Sequence, residues 1–225
     1  MKSLGLCLCK FGLAFTALSS ACLAAPILVN GSFEPSSPLT PPLGTASPIP
    51  NWTYTGPGTA GSWAAAVLYS GSTPIAYLNP KDGTAVGYIE NGGAISQVFN
   101  AVAGTVYSFS VWVGKRYNAG IIPTTYQIGF FDPSSPNTWL AVVGGDSASA
   151  PAGGWIQSPT VTYLATVSGP IGVRIWNTGV VQGTTTQVLV DAATMTAAGV
   201  PEPMTATLIA GGLAGLALLR LRLRG

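Results

Sequence analysis

Apolar residues that recur at every second position are the feature that most limits how this chain can fold. Within Thr105–Val113, one face would carry Tyr107, Phe109, Val111 and Val113, and the other Ser108, Ser110 and Trp112. A period of two belongs to a β-strand with one buried face. Tyr126–Phe130 and Ile171–Trp176 repeat it, and no stretch before Met204 carries a sustained 3.6-residue period. The pattern therefore predicts an all-β fold.

Strand-length runs and turn-forming clusters alternate along the middle of the chain. Thr160–Thr166 and Gln187–Asp191 are rich in β-branched residues, which favour strands. Clusters of Gly, Pro, Ser and Asn, such as Asp132–Asn137 and Ala150–Gly154, separate such runs. Short strands at this spacing are typical of a β-sandwich or jelly roll. We predict one such domain over residues 25–198, because no linker or internal repeat divides that stretch.

The N-terminal segment has the composition of a secretory signal peptide. Basic residues precede the apolar stretch Phe11–Leu18, and small residues suited to signal peptidase follow it. We expect that peptidase to cut after Ala24, which makes residues 1–24 the signal peptide. Cys22 leaves lipidation as an alternative, although Ser19 stands where lipoprotein signals usually carry leucine.

The C-terminal segment combines a proline-rich turn, an apolar run and a basic end. The uncharged run Met204–Leu219 would span roughly 24 Å as a helix, at about 1.5 Å per residue. That is slightly less than the ~30 Å hydrocarbon core, and leucines between the flanking arginines can lengthen it. The positive-inside rule places these arginines in the cytoplasm: Arg220, Arg222 and Arg224. We therefore expect a transmembrane helix with the β domain outside the cytoplasmic membrane.

The turn before that run is Val200, Pro201, Glu202 and Pro203. This order of turn, apolar helix and terminal arginines resembles the PEP-CTERM sorting signal of Gram-negative bacteria. The resemblance implies that a membrane protease of the exosortase type recognises residues 199–225, cuts near the turn and discards the tail. The protein would then be exported, anchored transiently in the inner membrane, and released to the cell surface or the extracellular matrix.

With both ends set aside, the composition excludes several classes of chemistry. The chain has no histidine, and its three cysteines all precede Ala24. Ser-His-Asp triads, Cys-His pairs, disulfides and the usual zinc ligands are therefore ruled out for residues 25–198. Four basic and six acidic side chains give that stretch a net charge of −2. Nucleic acid is not an expected partner, because a groove for phosphates needs clustered Lys and Arg.

Glycoside hydrolysis is the enzymatic chemistry that this composition leaves open, because it needs only two carboxylates. Glu90, within Tyr88–Asn91, is the acidic residue flanked by strand-like apolar neighbours. The same pattern more commonly marks a solvated strand end. We therefore expect no enzymatic activity, and a carboxylate-dependent glycoside hydrolase is the alternative.

Short motifs along residues 25–198 resemble secreted galactose-binding-like jelly rolls, which include carbohydrate-binding modules. They are Leu28–Glu34 with Trp52, then Asp82–Gly83, Ala94–Phe99, Gly104–Phe109 and Val190–Asp191. In such modules a structural calcium often joins the first strand to the last. The resemblance then implies calcium at Glu34 and Asp191, with carbonyl groups near Asn30 and Ser32, since calcium prefers oxygen ligands. The alternative is that these two carboxylates accept backbone hydrogen bonds.

Aromatic residues in a charge-poor domain rich in Ser, Thr and Asn suit sugar recognition, because ring faces stack on pyranoses. Trp112 is the main candidate platform, since it alternates away from the apolar face of its strand. Four other tryptophans lie near predicted loops and serve either the core or a ligand: Trp52, Trp63, Trp139 and Trp155.

The adjacent basic pair Lys115 and Arg116 would either meet an acidic polysaccharide or lie at a solvated strand end. If stacking carries the affinity, we expect binding to change little with salt, since screening weakens only charge contacts. The sequence thus predicts a non-enzymatic protein of the extracellular polysaccharide matrix that binds carbohydrate. A purely structural matrix role is the alternative.

Overall fold

The computed structural model describes residues 28–37, 45–64, 66–70, 73–115, 121–151 and 153–199. Within these ranges the chain forms strands and one 3₁₀ turn at Ser147–Ser149, so the all-β prediction is confirmed. The strands are β1 (Thr45–Ala46), β2 (Thr53–Thr55), β3 (Ala60–Ala64), β4 (Ala66–Ser70), β5 (Thr73–Leu78), β6 (Ala85–Glu90), β7 (Ala94–Ala101), β8 (Thr105–Gly114), β9 (Ile121–Pro123), β10 (Thr125–Asp132), β11 (Ser135–Asp146), β12 (Trp155–Gln157), β13 (Val161–Leu164), β14 (Gly169–Asn177) and β15 (Thr185–Gly199).

Two mainly antiparallel sheets pack face to face as a β-sandwich. The first sheet has the order β1-β3-β6-β15-β8-β12, with β13 also paired to β8 and β9 paired in parallel to β15. The second sheet has the order β11-β10-β14-β7-β2, and β4 and β5 form a separate two-stranded ribbon. From β6 onward the chain passes repeatedly from one sheet to the other, as in a jelly roll.

The core lies between the sheets, because each strand turns its apolar face inward. Phe109 and Val111 of β8 are fully buried, as are Phe130 of β10 and Val173 of β14. The rings of Phe109 and Phe130 meet edge to face across the core, with centroids 6.3 Å apart. Burial of such side chains contributes about 1.5–3 kcal/mol each, which makes this interior the main source of stability.

A smaller apolar cluster lies on the outer face of the first sheet. It consists of Trp63, Leu78, Val86 and Leu189. Trp63 is 3% exposed here, and Trp52 is 5% exposed in the main core, where its ring lies 5.1 Å from that of Phe33. Both tryptophans therefore serve packing.

The predicted signal peptide, residues 1–24, lies outside the described residues. The predicted sorting signal, residues 199–225, lies outside them too, apart from Gly199 at the end of β15. Across the described ranges, no helix is long and apolar enough to cross a membrane. Both targeting segments therefore stay predictions from sequence.

Candidate functional site

Asp191 holds the start of the loop Asn79–Thr84, which leads from β5 into β6. It lies at a bulge in β15, where pairing with β8 shifts between Asp191 and Thr194 and Ala192 has a φ of 45°. Its Oδ2 accepts hydrogen bonds from the N–H groups of Lys81 and Asp82 at 2.6 and 3.1 Å. Its Oδ1 accepts from Ala192 N at 2.6 Å. Burial raises the pKa of Asp191 to about 6, against the opposing effect of these N–H donors.

Glu34 holds the other end of the same loop. Its Oε1 accepts from the N–H groups of Thr84 and Ala85 at 2.7 and 3.0 Å, and its Oε2 accepts from Thr84 Oγ1 at 2.7 Å. Asn30 orients this residue, because its side chain accepts from Glu34 N at 2.8 Å and donates to Glu34 O at 2.9 Å. A side chain at Gly83 would collide with the Glu34 carboxylate, and the φ of +71° there also favours glycine.

This arrangement matches the hydrogen-bonded alternative for Glu34 and Asp191, and calcium at this pair stays a prediction. All four carboxylate oxygens already accept an N–H or O–H group. The carbonyl of Asn30 accepts from Trp52 Nε1 at 2.9 Å. Calcium is held by a shell of oxygens, so a cation at this pair would have to share the carboxylate oxygens with these N–H and O–H groups. Among the described residues, no three Asp, Glu, His or Cys side chains gather into a metal cluster.

Trp112, the predicted sugar platform, is covered by a lysine. It lies half-buried on the outer face of β8, opposite the buried Phe109 and Val111, as its alternation predicted. One face of the ring is occupied, because Lys81 Nζ lies 3.9 Å from its centroid. Lys115 follows β8 and donates to the Ala148 carbonyl at 3.3 Å, and Arg116 lies outside the described ranges. A binding role for these residues stays a prediction.

The outer face of the second sheet carries a groove of about 520 Å³ that the sequence analysis did not identify. Strand β14 turns Ile171, Val173 and Ile175 into the core and therefore Gly172, Arg174 and Trp176 outward. The strand register places Arg174 between Gly129 and Ser96, and Trp176 between Gln127 and Ala94. Gly129, Ser96 and Ala94 are small and leave space above the sheet. The lining of this aromatic groove includes Trp139, Trp176, Arg174, Asn137, Thr55 and Pro57.

Arg174 lies half-buried against two aromatic rings. Its Cζ is 4.2 Å from the centroid of Phe131 and 5.6 Å from that of Trp139. Phe131 can lie there because any side chain at Gly172 would collide with its ring. Arg174 Nη1 donates to the Pro136 carbonyl at 2.7 Å, whereas its buried Nε has no acceptor. Burial lowers the pKa of Arg174, with no opposing contribution from a carboxylate among the described residues.

The two tryptophans of the aromatic groove are half-buried and held in place. Trp176 Nε1 donates to the Gly92 carbonyl at 3.0 Å. Trp139 of β11 pairs with Phe131, next to register shifts in β10. No acidic side chain occurs among the described residues that line the groove. The arrangement can stack on a ligand and donate hydrogen bonds, but it lacks the carboxylate pair of a glycosidase.

Glu90, the candidate carboxylate for hydrolysis, is held at the end of β6. Its Oε1 accepts from Gln187 Nε2 and its Oε2 from Thr59 Oγ1, both at 2.8 Å. Both oxygens are thus engaged by neutral donors, which is the arrangement of a structural strand-end carboxylate.

The outward alternation of Arg174 and Trp176 is the signal in the sequence that would have pointed to the aromatic groove.

Several solved structures are similar to this chain at low identity. TmCBM61 in complex with β-1,4-galactotriose is 15% identical, covering 76% of this chain and 98% of that chain, at a TM-score of 0.48. The arabinose-bound α-L-arabinofuranosidase MgGH51 is 12% identical; the match covers 78% of this chain and 27% of that chain, at a TM-score of 0.49. The CBM22-1 xylan-binding domain of Paenibacillus barcinonensis Xyn10C is 12% identical; the match covers 67% of this chain and 87% of that chain, at a TM-score of 0.41. No protein-family model and no curated protein matches the chain. At these identities and TM-scores, the similarity identifies neither a ligand nor a binding site for this chain.

Proposed function

We propose that this protein is a non-enzymatic, exported carbohydrate-binding protein whose ligand lies in the aromatic groove. The observation that carries the proposal is the presence of two half-buried tryptophans, Trp139 and Trp176, in the lining of one open groove. Indole rings offer large, rigid apolar faces, and such faces stack on the C–H surfaces of pyranoses. Asn137 and Arg174 supply hydrogen-bond donors for hydroxyl groups beside them.

The dimensions and the setting of the groove support the same function. Its volume of about 520 Å³ falls within the range of small-ligand sites, roughly 300–1,000 Å³. On the same face of the sheet, Val98 and Val142 are 56% and 41% exposed, so the surface around the groove is open to a polymer. The signal peptide and the sorting signal predicted at the two ends support a destination at the cell surface or in the extracellular polysaccharide matrix.

A glycan array on the purified protein, compared among single tryptophan variants, tests this proposal. Trp139→Ala removes a groove ring, and we expect it to weaken binding roughly tenfold or more. Trp112→Ala is the matched control, because it removes a half-buried tryptophan from the outer face of the other sheet. If the ligand lies in the aromatic groove, that variant binds like the wild type, and the predicted role of Trp112 is wrong.

Three results would contradict the proposal in different ways. Loss of binding in Trp112→Ala but not in Trp139→Ala would move the site to the first sheet. Binding to no glycan would leave the purely structural matrix role as the better account. Turnover of a bound glycan that stops on Glu90→Gln would favour the glycoside hydrolase.

A further inference from the structure

We infer that the aromatic groove selects an acidic polysaccharide, with Arg174 recognising the carboxylate of a uronate unit. This inference rests on the proposed function and names its ligand class. Within residues 25–198, acidic side chains outnumber basic ones by six to four. Even so, the guanidinium of Arg174 has no carboxylate partner among the described residues. A half-buried cation without a counter-ion is costly, and an anionic ligand would offset that cost.

One nitrogen of the guanidinium, Nη2, is left to donate to a carboxylate. Nη1 is engaged by the Pro136 carbonyl, while Nε is buried without an acceptor, and Nη2 has no hydrogen-bond partner among the described residues. Nη2 can therefore donate a charge-assisted hydrogen bond to a ligand carboxylate, whereas the buried Nε lies out of a ligand's reach. The acidic residue beside Phe131 does not fill this role: Asp132 Oδ1 accepts from Ser134 N and Oγ at 2.8 and 2.7 Å, and no carboxylate acts on the pKa of Arg174 among the described residues.

The aromatic rings prepare Arg174 for this contact without neutralising it. Phe131 and Trp139 fix the plane of the guanidinium, so little side-chain entropy is lost when a ligand binds. Trp139 and Trp176 supply the flat surfaces that a pyranose ring needs. A single cation suits one carboxylate on a sugar ring, whereas a chain of phosphates requires clustered Lys and Arg. The groove chemistry therefore favours a uronate-containing polysaccharide.

The test compares acidic polymers with their uncharged esters. Binding of the purified protein is measured to polygalacturonate and to alginate, each beside its carboxyl-esterified form, which keeps the sugar rings and removes the charge. We expect an acidic polymer to bind about tenfold or more tightly than its ester at low salt, with the preference shrinking as salt increases.

Variants of Arg174 assign that preference to one side chain. Arg174→Gln should abolish the preference, so that each acid and its ester bind equally, even if the loss of a donor in the groove weakens binding to both. Arg174→Lys keeps the charge but not the planar guanidinium that Phe131 and Trp139 hold in place, and should retain part of the preference. Trp139→Ala should weaken binding to both forms. Melting curves check that each variant folds. If Arg174→Gln does not fold, the comparison of acid and ester on the wild type tests the inference.

The inference fails separately from the proposed function. Equal binding of each acid and its ester, or binding to neutral glycans alone, overturns the inference and leaves carbohydrate binding in place. A preference for acid that persists in Arg174→Gln also overturns it. Equally tight binding to poly-L-glutamate would show that the protein recognises charge without a sugar ring, and would overturn a uronate polysaccharide as the ligand. Binding to no polysaccharide at all overturns both.

Discussion

Removal of the Glu34 carboxylate tests how the 79–84 loop is attached to the sandwich. In Glu34→Ala, the N–H groups of Thr84 and Ala85 and the hydroxyl of Thr84 lose acceptors that lie at 2.7, 3.0 and 2.7 Å. Hydrogen bonds to a charged group contribute about 1.5–3 kcal/mol each, and water replaces part of this at the half-exposed site. We expect a loss of about 2–4 kcal/mol, which lowers the melting temperature by roughly 5–12 °C in a domain of this size.

Glu34→Gln is the matched control, because an amide satisfies the same donors. Its Oε1 can keep both backbone N–H groups, and its Nε2 can donate to Thr84 Oγ1, since that hydroxyl can turn to accept. We therefore expect this variant to cost about 1 kcal/mol or less. If a calcium ion linked Glu34 to Asp191, the loss of charge would instead make Gln nearly as damaging as Ala.

Chelation separates the two accounts in the wild type. Melting followed by circular dichroism, with excess EDTA and then with added calcium, should give one unchanged curve if hydrogen bonds alone hold the loop. A ligand that binds the folded state stabilises it, so bound calcium would make the melting temperature fall in EDTA. That fall, together with a damaging Glu34→Gln, would refute the hydrogen-bonded account. An unchanged melting temperature in Glu34→Ala would refute any role for Glu34 in holding the loop.

Two further predictions concern the last strand and the tail beyond it. Burial raises the folded-state pKa of Asp191 to about 6, so the stability linked to this group is present below about pH 4 and lost as the pH rises through 6. The wild type should therefore lose about 2–3 kcal/mol relative to Asp191→Asn between pH 4 and 7, and parallel pH curves would contradict this. Mass spectrometry of the extracellular protein should find a C-terminus near Pro201–Pro203. A form that retains Leu208–Arg224 would disprove processing at that turn.

Local pattern predicted the strands well, because a buried strand face must be apolar at every second residue. Strand β8 covers Thr105–Gly114 where Thr105–Val113 was predicted, and β14 covers Gly169–Asn177 around Ile171–Trp176. The boundaries were less accurate where a turn is tight. The cluster 132–137 was predicted as a turn, yet β11 already begins at Ser135, because Asp132 accepts from Ser134 N and closes the turn early.

The same pattern did not decide which outward face would be open. Trp112 and Trp176 both alternate away from the core of their strands, so the sequence by itself determined that each would point outward. The pairing of distant segments decided the rest. Asp191 and Glu34 hold the 79–84 loop, and Lys81 of that loop covers Trp112. Strand β7 brings the small residues Ser96 and Ala94 alongside Arg174 and Trp176, and strand β10 brings Gly129 alongside Arg174, so a groove remains. A strand's own residues determine its buried face, but its neighbours across the sheet determine whether the other face is covered.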